Sequence, residues 1–415
     1  MKRTLALLTL SALLSTPALA QSGTLRLIAQ ASEQGNPSMT ALVDAFMKKY
    51  PGVRVTTEYY PIGTGYPQAL RTQLQGGNAP DLFYVTAGAG GLVSVLPLLD
   101  AGYVASLSKR PWAQTVLPQR SRALYWKGGQ LAAVPLGMTP VAAVYNVDLF
   151  KSLGLSVPRT MPELLKTCQA VRAKGKTLFA LAGANPQNSG LLASVMAANY
   201  VLGSDPQWNT KALAGKVTFS GTPAWKTALQ TLVDMKNANC FQPGVEGADI
   251  PQAAPALASG DAVAFVIPTG SISALKTINP KLNLSAFVLP GPTAASTLLP
   301  ISPTDAMAVF KNSKNLAAAQ AFTDFVATGG GSELYARSTG DISVKQATSG
   351  EQLPPELTLL TPYLKTVAKT TPLIQLEWRN PQVFSTLGDG LQGLLTGQIT
   401  PAALLTKMDA AWKQK

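Results

Sequence analysis

Between Thr24 and Ala87 the chain alternates between two hydrophobic periods in a fixed order, and that order leaves few folds open. "TLRLIAQ" reads as a strand, and "PSMTALVDAFMKKY" sets Met39, Leu42, Val43, Phe46, Met47 and Tyr50 at helical spacing behind Pro37. "GVRVTTEYY" alternates like a strand, "YPQALRTQLQ" reads as a short helix, and "DLFYVTA" as a buried strand. The order β-α-β-α-β predicts a parallel, doubly wound sheet. Ligands of such sheets sit beyond the carboxyl ends of the strands, here "ASEQGN" after the first and "TAGAG" after the third.

Farther along, "AVPLGMTPVAAVYN" sets two apolar runs end to end, separated only by "GMTP". Gly137 permits a change of backbone direction and Pro140 fixes the exit, so the runs are read as parts of two different cores. A bulged strand inside one sheet is the alternative. "LSAFVLPGP" leaves a strand through proline and glycine in the same way near Val288. Two such passages predict two lobes interleaved in sequence and joined by hinge strands; with a further change of lobe after 340, the expected bounds are 21–137 plus 289–340, and 138–288 plus 341–415.

"MKR", then "LALLTLSALL", then "ALA" has the three regions of a secretory signal, with cleavage expected after Ala20. That leaves 395 of 415 residues, enough for two or three cores. No cysteine follows the cleavage site to carry a lipid, so an exported, periplasmic, unanchored protein is expected. Cys168 and Cys240 would meet in an oxidising compartment, where an even number usually means a bridge. Two separate buried thiols are the alternative.

The chain contains 0 histidines, which excludes Ser-His and Cys-His dyads and metal sites built on imidazole. No metal or other cofactor is expected. Without Lys2 and Arg3 there are 32 basic and 21 acidic residues, +11. The basic residues come singly or in pairs with no aromatic-interleaved tract, so no nucleic-acid partner is expected.

An ordered series of fragments resembles the extracytoplasmic solute-binding proteins of ABC importers, in the branch of the maltose and glycerol-3-phosphate binders. "GGNAPDLFYV" is similar to a strand entry of that family. "WKGGQLAAVPLGMTPVAAVYNVDLFKSLGLSVPRTMPELL" is similar to its central block, and "ALASGDAVAF", "FVLPGP", "KNSKNLAAAQAFTDFVA" and "LLTGQITPAAL" follow in order. The resemblance implies a type II periplasmic-binding-protein fold of two α/β lobes, with "GMTP" as a hinge. It also implies a monomer that binds a small molecule without chemistry, and a separate membrane permease as partner.

Carbohydrate needs carboxylates, amides and aromatic faces. The candidates are Glu33 and Gln34 in "ASEQGN", Thr86 at the third strand end, Met138 and Thr139 at the crossover, and Asn185, Gln187 and Asn188 in "GANPQNSG". By resemblance Tyr66 and the loop of Thr269, Gly270 and Ser271 border the ligand; Asp305, Asp341, Trp378 and Asn380 complete the set. The chain departs from its relatives at telling places. The tryptophans of maltodextrin binders are missing from "PTGSI" and from the helix after Pro381. Where glycerol-phosphate binders have an arginine, a tyrosine and a glutamate, this chain has Phe384, Asp341 and Ala87. A small neutral carbohydrate or polyol is therefore expected, ahead of glycerol-3-phosphate, a polyamine or the activity of a secreted glycoside hydrolase.

Overall fold

A computed structural model describes residues 22–32, 35–61, 65–350 and 352–414. The expected signal at 1–20 and the candidates Glu33 and Gln34 lie outside the described residues.

The first sheet carries five strands in the order Val53–Pro61, Gly23–Ala31, Leu82–Thr86, Asp305–Val309, Val134–Pro135. The three N-terminal strands are parallel, as their β-α-β-α-β order demands; Asp305–Val309 returns antiparallel to them from far along the chain, and Val134–Pro135 pairs antiparallel with it at the edge. Pro37–Lys49 forms the first connecting helix, with the Asn36 side chain capping it by accepting from the Met39 amide at 2.9 Å. Met39, Leu42, Val43 and Phe46 form its buried face.

The second sheet is built around the long strand Thr139–Asn146. It pairs antiparallel with Ala262–Pro268 on one side, and with Leu284–Phe287 and Leu299–Ser302 on the other. Thr177–Ala180 and Thr370–Thr371 add parallel outer strands. Period-2 alternation gives this strand two buried faces: Val141, Ala143 and Tyr145 join one core cluster, Ala142 and Val144 another. The first of these clusters contains the Cys168–Cys240 disulfide, which joins the helix Met161–Ala173 to the segment following Pro223–Asn237.

Val134 and Leu136 pack into the core of the first sheet, whereas Met138 and Val144 pack into a core of the second. The chain crosses between sheets at Gly137. It crosses back at Pro303–Thr304, because Ser302 still pairs with Thr139 while Asp305 already pairs with Thr86. This corrects the expected passage near Pro290. Pro290 and Gly291 instead make a turn inside the second lobe, where the Gly291 amide donates to Thr297 Oγ1 at 3.0 Å and its carbonyl accepts from the Met161 amide at 2.8 Å. A third passage follows Tyr335, which packs in the first core, and ends at Ile342, buried in the second. Met138 and Ile342 exchange backbone hydrogen bonds of 2.7 and 3.1 Å, tying the first and third passages together. Thr139 and Thr304 hydroxyls meet at 3.0 Å and tie the first to the second.

Candidate functional site

A cleft of about 840 Å³ opens between the lobes. The first lobe lines it with the end of its third strand and the glycine-rich turn beyond it: Thr86, Ala87, Gly90, Gly91, Leu92 and Ser94. The second lobe lines it with the start of the helix Pro186–Ala197, the end of the strand Ala262–Pro268, and the segment 375–385. Both contributions fall at carboxyl ends of strands or starts of helices, where α/β sheets leave free amides.

The glycine-rich turn seats directly on the backbone of the second lobe. At Gly88, with φ +73°, a Cβ would fall 1.9 Å from the Leu376 carbonyl oxygen; at Gly90 it would fall 2.5 Å from that of Trp378. Any side chain there would hold the lobes apart. Leu376 fills the seam and packs against the cores of both lobes.

No Asp, Glu, Lys or Arg lines the cleft among the described residues, although the chain carries +13 overall. The lining is apolar surface from Leu92, Leu191, Ile250, Ile267 and Phe384, interrupted by hydroxyls and amides. Asp249 stands beside it, accepting from Asn185 Nδ2 at 2.9 Å and the Ile250 amide at 2.7 Å.

Of the residues singled out in the sequence, Thr86, Asn185, Gln187, Asn188, Ser271, Trp378 and Asn380 border this cleft. Three of them are occupied by the fold itself. Asn185 caps its helix by accepting from the Gln187 and Asn188 amides, both at 3.1 Å. Asn188 is buried and accepts from the Ala182 amide at 3.0 Å. Asn380 caps the helix Pro381–Thr396 and donates to the carbonyls of Ala411 and Gln414 at 2.9 and 3.1 Å.

Tyr66 is not a ligand contact: it is 0 % exposed, and its phenol donates to the Tyr84 carbonyl at 2.5 Å. Burial accordingly pushes that phenol's pKa well up. Met138 is likewise fully buried, in the core beneath the crossover. Trp378 offers its backbone to the seam but not its indole. The ring is 1 % exposed, stands edge-on to Phe219 at 5.3 Å, and donates from Nε1 to Asn209 Oδ1 at 3.1 Å. Thr269 is fully buried too.

Thr139, Gly270, Asp305 and Asp341 gather under the cleft at the hinge. Asp305 accepts from the Tyr84 and Tyr335 phenols at 2.7 and 3.2 Å; burial raises its pKa and the two phenols oppose the rise. Asp341 Oδ2 accepts from Thr339 Oγ1 at 3.1 Å, while Oδ1 is sealed from solvent without a partner. Burial, then the charge of Asp305, pushes the Asp341 carboxyl up to about 7, against the hydroxyls of Thr139 and Thr339 nearby. A Cβ on Gly270 would lie 3.1 Å from Asp341 Oδ1, so Gly270 covers this carboxylate while Ser271, next in the same loop, borders the cleft.

Sequence reasoning missed Leu92, Ile250 and Gln375 and treated Phe384 only as a lost arginine. Leu92 is 63 % and Ile250 40 % exposed, an apolar pair on opposite lips of the cleft. The Phe384 ring lies against Gly190, where a Cβ would be 2.9 Å from its edge, so a backbone surface holds the ring in place.

Two lobes, three passages of the chain between them and a cleft lined from both sides are the architecture of a small-molecule binding protein. The model of the family "Bacterial extracellular solute-binding protein" matches residues 30–331, and the chain belongs to that family. It is 25% identical over 315 residues to the multiple sugar-binding protein of Streptococcus mutans, covering 72% of this chain and 70% of that protein. Over 135 residues it is 27% identical to the melibiose/raffinose/stachyose-binding protein MelE of Bacillus subtilis, covering 32% of this chain but only 30% of MelE. The apo form of RafE from Streptococcus pneumoniae has the same fold, with a TM-score of 0.79 at 20% identity, covering 94% and 97% of the two chains. The family and these relatives are binding proteins rather than enzymes. No helix among the described residues is long and apolar enough to cross a membrane.

Proposed function

We propose that this protein captures an uncharged carbohydrate or polyol between its lobes and delivers it to the permease of an ABC importer, working as an exported periplasmic receptor without catalysis. One observation carries the reading: within this family, the cleft has walls of apolar surface, hydroxyls and amides and no described charge. Sugar rings have apolar faces and hydroxyl edges, and such a lining complements both. The multiple sugar-binding protein and MelE support it by their names.

A phosphorylated ligand would call for cationic side chains aimed at it, and a polyamine would need several carboxylates. Neither set lines the cleft among the described residues, and the two flanking carboxylates that glycoside hydrolysis uses have no counterpart there either. The ligand acts by differential affinity: contacts with both walls exist only when the lobes are together, so binding favours the closed form that the permease recognises. Thr86, Gln187, Ser271 and Phe384 are the contacts we assign to it.

Thermal denaturation in the presence of raffinose, melibiose, maltose, galactose, glycerol-3-phosphate and spermidine tests this directly. At least one neutral sugar is expected to raise the melting temperature in a concentration-dependent way, since it binds the native state alone. A rise with the phosphate or the polyamine, and none with any sugar, overturns the reading.

A further inference from the structure

The amides around the cleft differ in one respect that the capping pattern isolates. Asn185, Asn188 and Asn380 are engaged by backbone groups of their own lobe. Gln375 is not: among the described residues its side chain makes no hydrogen bond, and its Oε1 is sealed from solvent without a donor. A buried amide oxygen without a partner is unfavourable and is rare in folded proteins, so its occurrence on the wall of a cleft points to a donor that arrives from elsewhere.

The backbone around Gln375 is held firmly. The Ile374 carbonyl accepts from Asn209 Nδ2 at 2.9 Å, and the Gln375 carbonyl accepts from the Trp378 amide at 3.1 Å. Ile374 before it is fully buried in the second lobe, and Leu376 after it wedges between both cores. Gly90 of the first lobe packs closely on this segment, where a Cβ would lie 2.5 Å from the Trp378 carbonyl oxygen and 3.8 Å from that of Gln375, so Gln375 sits where the two walls of the cleft meet. The backbone is fixed and the amide oxygen has no partner to give up, so turning Oε1 toward a ligand donor breaks no hydrogen bond of the protein.

We infer that Gln375 is the specificity-determining residue of the second lobe, reading a pair of adjacent ligand hydroxyls: one donates to its Oε1 and the oxygen of the other accepts from its Nε2. This rests on the carbohydrate reading above. A carboxamide presents an acceptor and a donor side by side, and a vicinal diol presents the complementary pair. The group therefore selects sugars by which adjacent hydroxyls they carry, while Phe384 and the leucines of the lining take any ring of suitable size. Closure couples to this contact, since Gln375 adjoins the seam where Gly88 and Gly90 meet Leu376 and Trp378.

The test is isothermal titration of wild type, Gln375→Met and Gln375→Glu with whichever of raffinose, melibiose, maltose and galactose binds wild type tightest, and with its monodeoxy analogues. Wild type is expected to lose about tenfold in affinity for one or two adjacent deoxy positions. Gln375→Met should bind the parent sugar about ten- to hundredfold more weakly, show no further loss on those same analogues, and melt unliganded at the wild-type temperature or above. Gln375→Glu, which keeps the acceptor, should still discriminate against the analogue lacking the donating hydroxyl. Parent binding by Gln375→Met within twofold of wild type, or an unchanged deoxy pattern in that variant, overturns the assignment and leaves the carbohydrate reading intact. Wild type that binds none of the four sugars removes both.

Discussion

The wall of the cleft contributed by the first lobe is made of a turn, two short hydroxyls and bare backbone, whereas the wall from the second lobe carries nearly all the side chains with reach. Thr86, Ser94 and the glycines 88 and 90 let the first lobe come close; Asn185, Gln187, Gln375, Leu191 and Phe384 give the second lobe something to read with. The difference assigns different work to each side. The first wall decides whether the lobes can meet, and the second decides what they meet around. It also explains how a chain with +13 overall keeps a cleft without described charges: one wall has few side chains, and the other carries amides and apolar side chains.

The strongest way to break this division is to add a side chain to the first wall. Gly88→Val puts a branched side chain where even a Cβ sits 1.9 Å from the Leu376 carbonyl, at φ +73°. Sugar affinity is expected to fall at least about a hundredfold, with the small-angle scattering radius no longer contracting on ligand addition. Retained affinity would show that the seam is not needed for closure.

The second wall has a covalent support that the first lacks. Removing the Cys168–Cys240 bridge by paired alanine substitution frees a loop of 72 residues and should cost about 4 kcal/mol in urea unfolding. Sugar affinity at low temperature should stay within twofold, because the bridge lies in the core rather than on the cleft. A large loss of affinity would mean that the second wall is deformable.

The floor shared by both walls should carry a pH signature. The Asp341 pKa of about 7 lies above the value near 3.9 expected in the unfolded chain. Below about pH 4 both states hold the proton; as pH rises to 7 the unfolded chain releases it first, so folding is progressively disfavoured, by a few kcal/mol at most, and the penalty is complete above pH 7. Asp305, which faces Asp341 with Tyr335 beside it, shifts in the same direction. Asp341→Asn is therefore expected to raise the melting temperature at pH 8 by more than at pH 5, and an equal change at both would locate the effect elsewhere.

Smallest is the contrast between two neighbouring amides. Asn185→Ala should cost about 1 kcal/mol of stability through its lost cap. Gln187→Ala, exposed and without such a role, should leave stability unchanged and weaken sugar binding severalfold. The reverse outcome would exchange the roles given to these residues.

Much of the frame was legible in the sequence because it rests on local signals. The β-α-β-α-β order pointed to the first lobe; the rule that ligands sit at carboxyl ends of strands pointed to Thr86, and the family resemblance to Ser271, both of which line the cleft. Gly137 between two apolar runs gave the first passage between sheets. Tyr66 was misjudged although a local cue existed: Tyr66, Leu70 and Leu74 recur every fourth residue, the spacing of a buried helix face. The Trp378 indole carries no such cue, because its partners Phe219, Trp225 and Trp412 are distant in sequence. The second passage was misplaced because Pro290 and Pro303 both interrupt apolar runs, and only strand pairing tells which interruption changes sheets. Gln375 could not be found at all, since what marks it is the absence of a partner in three dimensions.

The central claim is that the cleft selects against charge. Equilibrium titration of the sugar that binds tightest, at 20 and at 500 mM sodium chloride, with glycerol-3-phosphate and spermidine as competitors, puts it to the most direct trial. The account predicts the same affinity within about twofold at both salt concentrations and no displacement by either charged compound. A strong salt dependence, or displacement by either competitor at comparable concentration, would contradict it.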